Sequence, residues 1–207
     1  MPSFQELILM APPILLALTV HEYSHGYVAY RLGDDTAYRA GRLTLNPLSH
    51  LDPIGTLMLF IAQIGWAKPV PVNPYNLNNP QKDMIWVALA GPASNVVFAF
   101  IVSMLLRFII ATELNPSISL AKMIVFTIQI NLVLAAFNLI PVPPLDGSKI
   151  LGGFLRGEAA YKYAQFERIG PFVLMAVIFG GWILHIPVLS WIITPFVQFF
   201  YTLFVGV

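Results

Sequence analysis

The chain has 207 residues, of which 57% are hydrophobic and only 10% are charged, and its mean hydropathy is +0.75. Soluble domains carry about 25% charged residues, so this composition predicts a single integral-membrane domain rather than a soluble one. The formal net charge of +1 gives no argument for nucleic-acid binding, and the absence of cysteine excludes disulfides, thiolate nucleophiles and cysteine-based metal sites.

The first apolar run predicts a helix from residue 3 or 4 to Leu32, with Gly33 as its stop. No Lys or Arg precedes the run, so we do not expect a cleaved signal peptide. The helix contains His21-Glu22-Tyr23-Ser24-His25, in which two histidines four residues apart share one face and can grip a metal ion. Glu22 lies about 100° round the helix and can reach a water on that metal. Because polar groups are costly at membrane depth, a metal site is favoured over histidines that only bond to polar neighbours.

The region after the first helix is predicted to be irregular. Residues 36–46 are predicted to form one strand or a short hairpin, and the prolines of residues 68–74 suit an extended edge segment. Asp52 is expected to cap a helix over residues 53–66. That helix has only about 14 residues, short of the ~20 that span a bilayer, so we expect a re-entrant element.

Further apolar helices are predicted at about 83–112, 118–140, 169–186 and 188–206. With the first helix they give about five transmembrane helices, and the fold class is an all-α polytopic membrane protein with a short re-entrant helix and small membrane-associated β-strands. Lys and Arg follow the first helix and recur in 68–82 and 149–168, whereas 112–118 has none. The positive-inside rule therefore places the N-terminus outside and the metal pair near the cytosolic face, in what we expect to be the cell membrane.

A catalytic zinc generally takes three protein ligands, so the histidine pair needs a third. Asp146 follows the helix that ends near residue 140, at a depth that roughly matches the histidines. By itself Asp146 is better interpreted as a turn residue or helix cap, because Asp-Gly is a common turn pair. His50 is a candidate fourth ligand but suits a loop histidine that caps the next helix, and we assign no function to His185.

At this point a resemblance joins the two regions. The segment His21-Glu22-Tyr23-Ser24-His25-Gly26 and the segment Asn138-Leu139-Ile140-Pro141-Val142-Pro143-Pro144-Leu145-Asp146-Gly147 resemble the paired signatures of site-2 proteases, which are intramembrane zinc metalloproteases. Residues 41–47 and 91–95 also resemble family elements. The resemblance covers about 15–150, the catalytic core being about 4–150, and the helices of about 169–206 match only in kind. Other members carry PDZ or CBS domains, so this chain resembles a minimal form.

The resemblance implies a role for each matching residue. It implies one zinc ion held by His21, His25 and Asp146, and Glu22 as the general base. It further implies that Asn138 stabilises the oxyanion, although an interhelical hydrogen bond is the alternative for a buried amide. Gly91 and Asn95, in a Gly-x-x-x-Asn element, would contact the substrate backbone, or would simply permit close helix packing.

The function implied is that of an intramembrane zinc endopeptidase, which hydrolyses a peptide bond within or near a transmembrane segment of another membrane protein. Because the peptide groups of a helix are paired internally, the substrate must unwind, and a sheet edge at 38–45 or 68–73 could hold the unwound piece. The alternatives are a zinc-binding membrane transporter and a non-catalytic membrane scaffold. A transporter needs a polar track across the bilayer, and the intact Glu22 argues against a scaffold. The partners expected are the lipid bilayer and a transmembrane protein substrate.

Overall fold

The regular secondary structure of this protein is helical. The computed structural model describes residues 4–55, 58 and 65–206, and no β-strand occurs within these ranges. Seven helices can be delimited there: α1 (Phe4–Arg31), α2 (Thr36–Arg39), α3 (Pro80–Ala111), α4 (Ile118–Asn138), α5 (Asp146–Phe154), α6 (Gly157–Leu184) and α7 (Val188–Val205). Two short 3-10 turns, Pro47–His50 and Pro74–Asn76, lie between α2 and α3.

Four of the described helices, α3, α4, α6 and α7, are long and apolar enough to cross a membrane by length and composition. Their starts follow ordinary rules: α3 begins with Pro80 at its first position, and the Ser117 hydroxyl caps α4 by accepting the Leu120 N–H at 3.3 Å. Large apolar side chains such as Phe108 and Trp182 face outward, as in a protein whose solvent is lipid. The predicted all-α polytopic fold is confirmed at this level.

The helices that position the site pack closely because small residues lie between them. Helix α1 packs against α3 and α4, and α3 also contacts α5 and α7. Fully buried alanines occupy these contacts, including Ala17 on α1, Ala99 on α3 and Ala135 on α4. Small residues let membrane helices approach, and van der Waals packing then stabilises the association. A separate apolar cluster, which includes Ile128, Leu132 and Phe204, joins α3 and α4 to α7.

The strand predicted over residues 36–46 is not observed. Residues 36–39 form the single turn α2, and the described residues from 40 to 46 form no strand. The reason lies in local hydrogen bonds: the Asp34 carboxylate accepts both the Thr36 main-chain N–H, at 3.1 Å, and the Thr36 hydroxyl. Such side-chain contacts give the backbone an alternative to a sheet ladder. The edge strand predicted at 68–74 is not observed either: residues 68–73 form no strand, the 3-10 turn Pro74–Asn76 begins at residue 74, and an isolated bridge joins Leu51 to Ala67.

The predicted helix over residues 53–66 is described only in part. Residues 53–55 are helical, and the Asp52 carboxylate accepts the Gly55 N–H at 2.7 Å, which confirms the predicted cap. Residues 56, 57 and 59–64 lie outside the described residues, and so does the prediction of a re-entrant element. Helix α6 starts at Gly157, earlier than the apolar run near residue 169, because polar residues extend the same helix beyond its apolar part.

Asp34 joins the end of α1 to the segment that precedes α3. Its side chain is fully buried and accepts the Asn73 N–H at 2.7 Å and the Asn76 amide at 3.0 Å, in addition to Thr36. Burial by itself raises the pKa of the Asp34 carboxyl, but the hydrogen bonds from Thr36, Asn76 and Asn73 outweigh it and lower the pKa below its ordinary value. The fold therefore favours the ionised carboxylate.

We predict that Asp34→Asn lowers the free energy of unfolding by about 1–3 kcal/mol at pH 7. The NH₂ group of the new amide would face N–H and O–H donors that the carboxylate now accepts. A pKa that folding lowers contributes stability fully above the unfolded value of about 3.9, and loses it as the pH falls through the folded value. The difference between wild type and variant should therefore shrink in acid. Thermal unfolding of the detergent-solubilised protein as a function of pH measures both effects.

The matched control is Asp35→Asn, because the neighbouring Asp35 is partly exposed and pairs with Arg39 at 2.7 Å on the surface. Such a pair is worth about 0–1 kcal/mol. Equal losses in the two variants would contradict the role given to Asp34.

Candidate metal centre

Three predicted ligands meet at one point. His21 and His25 lie on α1, and Asp146 is the first residue of α5. The Nε2 atoms of the two histidines are 3.0 Å apart, and each lies 3.1 Å from Asp146 Oδ2. All three residues are buried, and their ligand atoms form a group that could hold a metal ion. The structure thus brings together residues that are 125 positions apart in the chain.

The donor set fits zinc. Four-coordinate zinc with bonds of about 2.0–2.1 Å separates its ligand atoms by about 3.3–3.4 Å, and the observed separations of 3.0 and 3.1 Å are only slightly tighter. Two imidazole nitrogens and one carboxylate also match a catalytic site, which takes three protein ligands and keeps a position open.

The far side of each imidazole is occupied by an oxygen atom. His21 Nδ1 lies 2.6 Å from Asn95 Oδ1, and His25 Nδ1 lies 2.7 Å from the Val87 carbonyl oxygen. A carbonyl oxygen can only accept, so His25 carries its proton on Nδ1 and presents the lone pair of Nε2. Hydrogen bonds of this kind orient the metal-binding histidines of zinc sites.

The third predicted ligand, Asp146, lies at the start of α5, where its Oδ2 faces Nε2 of both histidines. The next residue, Gly147, lies against the main chain of Leu139 and Ile140, where a Cβ would clash with carbonyl oxygens of both. The glycine of the Asp-Gly pair therefore allows α5 to start with its carboxylate facing α1.

Gly91 on α3 makes room for the two histidines. A Cβ at this position would clash with His25 Nε2 and lie 2.6 Å from His21 Nε2. A real Cβ essentially never approaches that closely, so the ligand atoms could not stay where they are. This geometry supports the close-packing interpretation of Gly91, and a contact between Gly91 and a substrate stays a prediction.

Asn95 is placed behind the metal centre rather than in the open. Its side chain has no exposed surface, its Oδ1 faces His21, and its Nδ2 bonds to Ala17 O at 3.1 Å and to Asn131 Oδ1 at 2.7 Å. Both ends of the amide are therefore engaged inside the protein. The predicted contact between Asn95 and a substrate stays untested, and the described contacts favour an orienting role.

A cavity of about 340 Å³ opens beside the ligands and contains the two remaining predicted groups. Glu22 is half-buried there, and its Oε2 accepts the Val70 N–H at 2.8 Å. Asn138 also lines the cavity, and its amide donates to Leu134 O, one turn back along α4, at 3.0 Å. A larger cavity of about 650 Å³ lies between the N-terminal parts of α1 and α4 and contains none of these groups.

Other polar residues take different places. His50 is buried, with its Nε2 hydrogen bonded to Thr44 O at 2.8 Å, and the expectation that it is not a ligand stays a prediction. Sequence patterns do not single out Val70 or Val87, because both act through main-chain atoms. Asn131 carries one signal, an amide inside an apolar run.

Comparison with known proteins agrees with this site. Residues 108–181 match the sequence model of Peptidase family M50. The chain is 42% identical over 170 residues to "Putative zinc metalloprotease YwhC" of Bacillus subtilis. The aligned region covers 80% of this chain and 77% of that protein. It is 31% identical over 178 residues to "Putative zinc metalloprotease Rip2" of Mycolicibacterium smegmatis, over 83% of this chain and 66% of the relative. No solved structure matches the chain significantly.

The family model and the relatives identify the chain as a zinc metalloprotease, and the four long apolar helices indicate a multi-pass membrane protein. The chain belongs to peptidase family M50, the site-2 protease family, and zinc is its metal.

We predict that Gly91→Ala abolishes or strongly lowers zinc binding, because the added methyl group would occupy the space of the histidine ligand atoms. Zinc content per mole of purified protein, measured by elemental mass spectrometry, checks this. Gly180→Ala on α6 is the matched control, since a Cβ there meets nothing within 4 Å. Full zinc occupancy in Gly91→Ala would show that the predicted clash does not govern metal binding.

Proposed function

We propose that this metalloprotease hydrolyses a peptide bond within or near a transmembrane segment of another membrane protein. The observation that carries the proposal is the single cavity in which the three metal ligands, Glu22 and Asn138 meet, among helices of membrane-spanning length. An enzyme whose cavity lies among such helices meets its substrates in the bilayer. The substrate class is therefore a transmembrane protein.

Glu22 is the proposed general base. His21, His25 and Asp146 would hold the zinc ion, which would supply Lewis-acid chemistry to an attacking water and to the scissile carbonyl. Glu22 would accept a proton from the attacking water and deliver it to the nitrogen of the leaving amine. The Val70 N–H holds one oxygen of the Glu22 carboxylate, and we assign the proton to the other oxygen.

Asn138 is the proposed donor to the developing oxyanion. Its amide has two N–H groups, and one of them can stay on Leu134 O while the other reaches into the cavity that Asn138 lines. A donor of this kind supplies about 2.7–4 kcal/mol of transition-state stabilisation. The described hydrogen bond of Asn138 stays within α4, so it does not favour the alternative of an interhelical bond.

The unwound substrate is proposed to lie beside residues 68–73. Pro69, Val70 and Val72 line the cavity, and residues 68–73 lie outside any described helix. Strand addition would give main-chain hydrogen bonds to a peptide that has lost its own. Residues 38–45, the other predicted edge, are less suitable because part of α2 falls within them.

The proposed topology has five spans, counting α1, with the N-terminus outside and the metal centre near the cytosolic face of the cell membrane. The support is the packing of α1 between the apolar helices α3 and α4, and the basic residues Arg31, Arg39 and Arg42 beyond its metal-binding end. Histidines at 21 and 25 lie about two turns from Arg31, or ~9 to 15 Å along the helix axis.

We predict that Glu22→Gln keeps its zinc and loses cleavage of a transmembrane reporter by ~10²–10⁴-fold, because only proton transfer is removed. Asp146→Ala should lose both zinc and cleavage, since it removes a ligand. Zinc content and reporter cleavage are measured on the same detergent-solubilised samples.

Glu158→Gln serves as the control, because Glu158 is exposed on α6 and pairs with Lys162 away from the site. Cleavage retained in Glu22→Gln would refute the assigned base. A transporter would instead keep metal flux in that variant, and wild-type protein without zinc would contradict every metal-dependent function.

For the topology, we predict that Tyr75→Cys is labelled only from the cytosolic side. Tyr75 is 92% exposed and the chain has no native cysteine, so the label reports one position. Leu114→Cys, in the loop between α3 and α4, should be labelled only from the outside. Labelling with an impermeant maleimide on whole cells and inverted vesicles measures this, and exposure of residue 75 outside would overturn the proposed orientation.

A further inference from the structure

The metal centre is connected to a chain of buried amides that reaches a third helix. Asn95 on α3 and Asn131 on α4 have no exposed surface. Asn95 Oδ1 lies 2.6 Å from His21 Nδ1, and Asn95 Nδ2 donates to Asn131 Oδ1 at 2.7 Å. Asn131 Nδ2 in turn donates to Thr127 O at 2.8 Å. The chain therefore links a zinc ligand to the backbone of α4.

Two main-chain carbonyls determine which way both amides point. Thr127 O can only accept, so the NH₂ group of Asn131 faces it and the oxygen of Asn131 faces Asn95. Ala17 O also can only accept, so Asn95 directs its NH₂ group to Ala17 O and to the Asn131 oxygen. The oxygen of Asn95 is left facing His21 Nδ1.

The orientation of Asn95 has a consequence for His21. An amide oxygen opposite Nδ1 requires the proton of the neutral imidazole on Nδ1, and this places the lone pair on Nε2. Nε2 is the atom that faces His25 and Asp146. With Asn95 reversed, its NH₂ group would face Nδ1 and would favour the tautomer that cannot bind metal through Nε2.

We propose that Asn131 is a positioning residue for the zinc centre. Asn131 acts through Asn95 to select the tautomer of His21 that can bind the metal. The proposal rests on the zinc site and not on the identity of the substrate. Among its described hydrogen bonds, Asn131 touches no metal ligand. The competing explanation is that the two asparagines only hold α3 and α4 together, as buried amides do in membranes.

The test is a double-mutant cycle on zinc affinity, with the full-length protein in detergent and a chelating indicator as competitor for zinc. We expect Asn95→Leu to weaken zinc binding by about 10–100-fold, as for other partners of zinc-bound histidines, and Asn131→Leu by about tenfold. Because Asn131 acts through Asn95, adding Asn131→Leu to Asn95→Leu should change the zinc affinity by less than about twofold. Thermal unfolding of the zinc-free variants reports any purely structural loss separately.

Two further variants keep the test decisive. Asn131→Asp retains an oxygen that accepts the Asn95 N–H, and its protonated carboxyl group can still donate to Thr127 O, so it should bind zinc within about twofold of wild type. Ser103→Ala removes another fully buried polar group of α3, whose described hydrogen bond stays within its own helix, to Ala99 O at 2.7 Å, and should leave zinc affinity unchanged. If Asn131→Leu does not fold, Asn131→Ala replaces it in the double-mutant cycle. If Asn131→Ala also does not fold, the zinc affinity of Asn131→Asp tests the proposal.

Three results would overturn the proposal. The first is an unchanged zinc affinity in Asn131→Leu. The second is an equal loss from Asn131→Leu in the wild-type and Asn95→Leu backgrounds, which would show that the two residues act independently. The third is a tenfold or larger loss of zinc affinity in Asn131→Asp.

Discussion

The constraint on which the rest of the structure depends is the burial of two imidazoles and one carboxylate at a single point between apolar helices. Their ligand atoms lie 3.0–3.1 Å apart, in surroundings where each polar group is costly unless it has a partner. Every neighbouring element supplies such a partner or the space for one. A zinc ion held by the three residues would satisfy their ligand atoms together, and the hydrogen bonds of Asn95 and Val87 satisfy the outer histidine nitrogens.

The same residues therefore permit close packing of the helices and shape the metal centre. Gly91 lets α3 approach α1 at the height of the ligands, and Gly147 lets α5 approach the end of α4 so that Asp146 faces α1. The Val70 N–H connects the irregular segment before α3 to the proposed base, Glu22. The site thus draws on α1, α3, α4, α5 and that irregular segment, which explains why its residues are so widely spaced in the chain.

Residue patterns predict the helices and the histidine pair because both leave strong local signals, whereas the ligand role of Asp146 is only what the resemblance to site-2 proteases implies. Long apolar runs mark α3, α4, α6 and α7, and the paired motifs contain His21, His25 and Asp146. The predicted strand at 36–46 fails because Asp34 recruits Thr36 locally and Asn73 and Asn76 from about 40 residues away, and such contacts have no sequence period. For the same reason the sequence does not reveal the hydrogen bond between Asn95 and Asn131, because the packing of α3 against α4 creates it.

The ligands of the zinc ion can be observed by spectroscopy on the purified protein. We predict that zinc-edge X-ray absorption of the purified wild-type protein shows one zinc per chain, with two histidine nitrogens and oxygen ligands at about 2.0–2.2 Å. Histidine scattering should fall to a single imidazole in His25→Ala. A zinc ion without histidine scattering, or a spectrum unchanged by His25→Ala, would contradict the account.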